Sequence, residues 1–90
     1  MEYIYRVHAI ERMFQRDIYE NQVEKVIEHG EVIESYRDDK PYPSFLVLGY
    51  VDGVALHVVY AKDDKNNIIV ITTYRPNVNK WKNDFKTRKV

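Results

Sequence analysis

The chain has no cysteine, three glycines, three prolines and one tryptophan in 90 residues. Without cysteine there is no disulfide and no thiolate metal site, and an intracellular setting is expected. No apolar run approaches the ~18 residues of a membrane-spanning helix. The start, with acidic Glu2, lacks the basic-then-apolar pattern of a secretory signal. The chain therefore reads as a soluble cytoplasmic protein with no membrane partner. His8, His29 and His57 lack the close spacing of metal ligands, so no metal is expected. No glycine-rich phosphate loop or activated-serine motif occurs, so no cofactor is expected either.

What is present describes a globule. Hydrophobic residues make up 44% and charged residues 31%, a composition that folds rather than stays disordered. Ninety residues make one domain, 1–90, with a modest core. Net charge is zero, but it is unevenly placed. Residues 80–90 carry Lys80, Lys82, Lys86, Arg88 and Lys89 against Asp84, a balance of +4, so the preceding residues carry −4. The acidic stretch runs from Asp17 to Asp39. A short basic tail, 82–90, can hold phosphates by charge alone; the alternative is a frayed, solvated terminus.

Periodicity sets the elements. Met1 to Val7 alternates weakly, as a short edge strand does. From about Val7 to Arg16 the period is helical, with Ile10, Met13 and Phe14 on one face and His8, Arg12 and Arg16 on the other. A second helix is expected from Glu20 to His29, burying Val23, Val26 and Ile27 and stopping at Gly30. Glu31 to Arg37 alternates again. Asp38 to Pro43 is a loop, since prolines interrupt strand pairing. Strands follow at 45–51, 54–61 and 68–74. Asn77 caps a short last helix bearing Val78, Trp81 and Phe85. The expected fold is α+β: a helical hairpin packed on an antiparallel sheet, in the order β-α-α-β-β-β with that last helix.

The turns suggest a register. Asp52-Gly53 suits a two-residue type I′ turn, which places Val51 opposite Val54 and Leu48 opposite His57. A six-residue loop at Lys62–Asn67 then sets Ala61 opposite Ile68 and His57 opposite Thr72. One face holds Leu46, Leu48, Tyr50, His57, Val59, Val70, Thr72 and Tyr74. The other holds Phe45, Val47, Leu56, Val58, Tyr60, Ile69, Ile71 and Thr73, and is the expected helix-covered core. A one-residue slip would exchange the faces of the last strand and bring Thr73 and Arg75 to His57 instead.

His57 is a candidate general acid or base, its ordinary pKa near ~6.5 suiting proton transfer. The bland alternative is a hydrogen-bonded strand histidine. Tyr74 can orient a hydroxyl, protonate a leaving oxygen or stack on a base, or be an edge-strand tyrosine. Thr72 is a candidate phosphate donor, or an ordinary β-branched strand residue. His8, Arg12 and Arg16 lie at i, i+4, i+8; arginine suits phosphate geometry, although such a face is also commonly just solvated.

The ordered set His8-Ala9-Ile10-Glu11-Arg12-Met13, Arg16, Gly30-Glu31-Val32-Ile33-Glu34, Pro43, Leu56-His57-Val58-Val59 and Thr72-Thr73-Tyr74-Arg75-Pro76 with Trp81 resembles a family of small prokaryotic proteins of unassigned function. That family is grouped with RelE-like toxins, in the wider fold class of metal-independent ribonucleases that includes barnase. The resemblance implies a RelE-like domain and a toxin of a toxin–antitoxin pair. Such a toxin cuts RNA, on the ribosome or free, by 2′-hydroxyl attack on phosphate, and a cognate antitoxin protein neutralises it. The candidates do not reproduce the arginine- and lysine-rich RelE centre, so the roles rest on the residues themselves: taken with the resemblance, His57, Tyr74 and Arg12 are the expected catalytic residues. His8, Arg16, Thr72, Arg75, Lys82 and Lys86 would bind substrate. A second implication of the same fold is a non-catalytic RNA- or protein-binding module. Asp17 and Tyr19 stand where similar sequences usually carry glycine and serine or threonine, at the turn between the helices.

Overall fold

A computed structural model describes residues 1–90. The elements are β1 (Tyr3–Tyr5), α1 (Val7–Arg16), α2 (Glu20–His29), β2 (Glu31–Tyr36), β3 (Ser44–Val51), β4 (Val54–Lys62) and β5 (Ile68–Tyr74). They form one five-stranded sheet in the order β1-β5-β4-β3-β2. Both helices and the strand at each end of the sheet follow the sequence periodicity. Two points differ from the expected order. The alternating stretch is a strand over Glu31–Tyr36, as its alternation indicates, so four strands follow the helices where the expected order counts three. The sheet is mixed rather than antiparallel, because β1 pairs parallel with β5. The parallel pair is made by the first and last strands, with the rest of the fold as the crossover.

α1 lies over β5, and α2 over β3 and β4. The buried line of α1 is Ala9 and Met13, and Arg16 continues it at i+7. Ile10 and Phe14, expected inside, are outside: Phe14 is 90% exposed. The helix covers the strand next to the sheet edge, so only a narrow stripe meets the sheet. Asp17 ends α1 in the left-handed region at φ 57°, the conformation that glycine adopts most easily. Tyr19 heads α2 without a side-chain cap of its own; its N–H is instead satisfied by Gln22 Oε1 at 3.0 Å.

α2 sits close on the sheet. A Cβ on Gly49 would come 2.9 Å from Val26 Cγ2, and one on Gly30 would come 2.5 Å from the Leu48 carbonyl oxygen. Glycine at both places lets the helix end approach β3. The core between helices and sheet comprises Ala9, Met13, Ile18, Val23, Val26, Val47, Leu56, Val58, Tyr60, Ile68 and Val70.

The β3–β4 hairpin has the expected register, with Val51 opposite Val54 and Leu48 opposite His57. Asp52 and Gly53 both have positive φ, 52° and 79°, as a type I′ turn demands. The β4–β5 pairing departs from expectation. Lys62 lies opposite Ile68, so the loop is five residues long, and a bulge follows Tyr60–Val70. Beyond it, Val59 pairs with Thr72, Val58 with Thr73 and His57 with Tyr74. A bulge adds one unpaired residue, here Ile71, and so reverses the alternation on either side of it. Ile68 and Val70 therefore face the helices in place of Ile69 and Ile71. Thr72 and Tyr74 still share the face of His57.

The second face of the sheet is not open. Leu46, Leu48, His57 and Trp81 are all buried on it, between 0% and 4% exposed. The cover is the chain after β5. The expected last helix does not form. Asn77 Oδ1 instead accepts from Asn79 N–H, and the Asn77 carbonyl accepts from Lys80 and Trp81, which makes one turn. Residues 80–89 then double back as a strap, with Trp81 bridged to Arg88. Ion pairs from Lys86 to Glu31 and from Arg88 to Glu34 fasten it to β2. A frayed tail is thus replaced by a second, smaller hydrophobic layer.

Candidate anion-binding cleft

β5, α1 and the strap meet at one end of the sheet. The cleft between them has a volume of about 340 Å³ and is lined by Arg16, Tyr74, Arg75, Asn77, Lys80, Trp81 and Arg88. Four of these seven are cationic and none is acidic. Arg88 is neutralised: its Nε and Nη2 donate to the two oxygens of Glu34 at 3.1 Å each. Its guanidinium also lies 4.6 Å from the Trp81 ring, a stacking arrangement that holds it flat. Arg16, Arg75 and Lys80 form no ion pair with any carboxylate.

The two arginines are held by carbonyls rather than by charge. Arg16 Nη1 donates to the Thr73 carbonyl at 2.8 Å. Arg75 Nη1 donates to the Arg16 carbonyl at 2.6 Å, and its Nη2 to the Asp17 carbonyl at 3.3 Å. Arg75 thereby caps the negative end of α1, while Arg16 ties α1 to β5. Carbonyl bonds fix the side chains but leave their positive charge uncancelled. A positive cleft of this kind attracts anions.

Behind the cleft is a hydrogen-bonded relay. His57 is fully buried. Its Nε2 lies 2.7 Å from the Phe85 carbonyl oxygen, and its Nδ1 lies 3.3 Å from the Tyr74 hydroxyl. A carbonyl only accepts, so Nε2 carries the proton and Nδ1 accepts from Tyr74. The Trp81 ring meets the imidazole edge-on at 4.6 Å. Burial pushes the His57 pKa down, against the opposing pull of the Phe85 carbonyl, and so favours the neutral ring. Burial pushes the Tyr74 pKa up, and Arg88 moderates that rise. The half-buried Tyr74 hydroxyl is thus a neutral donor aimed at a neutral acceptor, at the floor of a cationic cleft. On the helix side, the Thr73 hydroxyl donates to the His57 carbonyl at 2.8 Å and locks the two strands in register.

The structure gathers Tyr74, Arg16 and Arg75 in the cleft, with His57 directly behind. It does not gather the rest. Arg12 is exposed on α1 and is not part of the cleft lining. His8 is exposed beside Glu11, 3.9 Å away. Thr72 faces the same side as His57 but lies opposite Val59, short of the cleft. Lys82 is exposed on the strap, and Lys86 is paired with Glu31 at 2.8 Å. Lys80, Asn77 and Arg88 enter the site without having been singled out from sequence. The sole tryptophan inside a basic tail was the available signal: a lone large aromatic there predicts that the tail packs.

A larger cavity, about 510 Å³, opens beside His29, Tyr50, Asp84 and Lys86, but its charges are mixed and Lys86 is already paired. No three His, Asp or Glu side chains converge in a metal-binding arrangement. No helix is long and apolar enough to cross a membrane. The chain matches no curated protein and no solved structure. From the edge strand through Arg75, however, a family match is continuous: residues 5–75 place the chain in DUF4258, a domain of unknown function, and it belongs to that family.

Proposed function

We propose that the protein is a RelE-like, metal-independent endoribonuclease, acting in the cytoplasm as the toxin of a toxin–antitoxin pair. The observation that carries this reading is the cleft itself, where three cations free of carboxylate partners surround a tyrosine hydroxyl backed by a buried histidine. A phosphodiester fits those cations, and its negative charge grows as the 2′-oxygen attacks. Preformed positive groups at that point stabilise the developing charge, each by roughly 10²–10³ in rate.

The chemistry runs through Tyr74. The 2′-hydroxyl gives its proton to the Tyr74 oxygen while Tyr74 passes its own to Nδ1 of His57. The 2′-oxygen bonds to phosphorus, the bond from phosphorus to the 5′-oxygen breaks, and the leaving oxygen takes a proton from solvent, to which His57 returns its added proton through the Tyr74 hydroxyl. The products are a 2′,3′-cyclic phosphate and a 5′-hydroxyl. His57 acts as proton acceptor behind Tyr74 and does not touch the RNA. Arg16, Arg75 and Lys80 hold the phosphate; Arg12, His8, Thr72, Lys82 and Lys86 lie outside this first contact, where they can meet flanking RNA only.

The test is cleavage of RNA by the purified protein in EDTA. Tyr74→Phe is expected to lower cleavage by about a hundredfold while leaving binding in place. Equal cleavage by wild type and Tyr74→Phe, or none by wild type, overturns the reading. In cells, expression should arrest growth, and co-expression of a cognate antitoxin should relieve it.

The full burial of His57 favours a second reading, a non-catalytic RNA- or protein-binding module of the same fold. Its signature is salt-sensitive RNA binding that Arg75→Gln weakens, with no turnover in wild type.

A further inference from the structure

Phe85 has φ 57°. A bulky residue in the left-handed region is strained and persists only where its surroundings enforce it. The surroundings here are explicit. Phe85 N–H donates to the Lys82 carbonyl at 2.8 Å, and Lys82 N–H donates to the Thr87 carbonyl at 2.8 Å. The Asp84 carboxylate accepts from the N–H groups of Lys86 and Thr87 and from the Thr87 hydroxyl. Glu31 and Glu34 anchor the strap from β2. The result of this tight reversal is one carbonyl, that of Phe85, aimed inward at His57 Nε2.

That carbonyl decides the direction of every bond behind it. An acceptor at Nε2 puts the imidazole proton there and leaves Nδ1 as a lone pair. Tyr74 must then donate inward, so its oxygen presents lone pairs to the cleft, beside Lys80 and the two arginines. Were the strap absent or its carbonyl turned away, His57 could carry its proton on Nδ1 and donate to Tyr74 instead. Tyr74 would then point its own hydrogen at the cleft. Lys80 and Arg88, both on the strap, also form part of the cleft wall.

We propose that the strap is a working part of the anion site: Phe85 is a positioning residue that sets the His57 tautomer, and Lys80 supplies a phosphate-binding charge. The family match ends at residue 75, so family membership by itself assigns nothing to these strap residues. The inference deepens the cleft reading above and names the residues that set its polarity.

The experiment uses the full chain, nitrogen-15 NMR of the His57 ring, and titration with inorganic phosphate. In wild type the proton resides on Nε2, and phosphate perturbs the signals of Tyr74 and Arg75. Phe85→Pro fixes φ near −65°, which the strap conformation forbids, and removes the N–H bonded to Lys82. It should lose the Nε2-protonated signal and weaken phosphate binding about threefold or more. Phe85→Gly adopts φ 57° without strain and should keep both properties of wild type. Lys80→Gln should weaken phosphate about threefold with the His57 signals unchanged, and Lys65→Gln, on the β4–β5 loop, should do neither. A wild-type proton on Nδ1, or a folded Phe85→Pro protein with unchanged His57 signals, overturns the positioning role. If Phe85→Pro does not fold, Lys80→Gln and the wild-type tautomer decide, and unchanged phosphate binding in Lys80→Gln overturns the inference. RNA cleavage enters none of these readouts, so a protein that binds phosphate as described but cuts no RNA counts against the proposed function alone.

Discussion

The two faces of the sheet are covered by different means. One is covered by two helices whose apolar residues recur at helical spacing, and its core is a continuous aliphatic cluster around Val58 and Val70. The other is covered by a strap without regular structure, held by one tryptophan, two ion pairs and a row of side-chain caps. The helix-covered face buries hydroxyls, those of Thr73 and Tyr60, but no ring nitrogen or charged group. The strap face buries a histidine and must give each ring nitrogen a partner, since an unpaired buried nitrogen costs several tenths to a few kcal/mol. Chemistry accumulates on the face whose cover carries free carbonyls and charges, because a helix spends its carbonyls on itself.

The largest effect is expected from removing the strap's anchor. If the second face is a core in its own right, Trp81→Ala should destabilise by about 3–5 kcal/mol, as large aromatic truncations in cores do. Val58→Ala, in the helix-covered core, should cost about 2–3 kcal/mol. Urea unfolding of both variants measures the difference; a Trp81→Ala cost below 1 kcal/mol would show the strap to be decoration.

pH gives a second, smaller separation. His57 has a lowered pKa in the fold, below its ordinary 6.5. Below about pH 6.5 the unfolded chain therefore binds the proton more readily than the folded one, and stability falls as pH falls. Above that value this contribution is constant. Thermal unfolding at about pH 7.5 and about pH 5.5 should show a loss on the order of 1 kcal/mol, and His57→Gln should lose that pH dependence. Glu34, held down by its bonds to Arg88, acts lower still: its stabilisation is full above its ordinary 4.5 and disappears as pH falls through the depressed value. A pH profile flat between 7.5 and 5.5 would mean that His57 is solvated rather than sealed.

The smallest expected effect is at the clasp. Glu34→Gln removes the charge opposite Arg88 and should cost about 1 kcal/mol or less, since Arg88 is largely exposed. The informative readout is functional: freeing Arg88 adds an uncancelled cation to the cleft, so phosphate binding should tighten modestly. No change in phosphate binding would place Arg88 outside the anion site.

Much of the helix-covered half was legible in the sequence. The stripe of Val23, Val26 and Ile27 located α2 and its face. The pair Asp52-Gly53 fixed the β3–β4 register and with it the partner of His57. The face of α1 was misread, because periodicity shows an apolar stripe on Ile10 and Phe14 but not which strand lies beneath it. The β4–β5 register was half right: His57, Thr72 and Tyr74 share a face, but through a bulge at Ile71 that no local pattern announces. Of the site, Tyr74, Arg16 and Arg75 were visible as residues, while their convergence was not, since Arg16 and Arg75 are 59 residues apart and meet only where α1 crosses the end of β5.

Local pattern alone was enough for the two helices, the main strands, the tight hairpin and the side of the sheet on which His57 lies, because these follow from periods and turn chemistry within a few residues; the same reasoning failed at the last helix, which is a strap. The packing of distant segments settles that this side is dry, that the basic tail folds back over it, and that a backbone carbonyl faces Nε2 of His57. Those depend on which distant carbonyl, carboxylate or ring arrives at a given atom. For His57 that partner is Phe85, 28 residues away, and nothing local to either residue specifies the meeting.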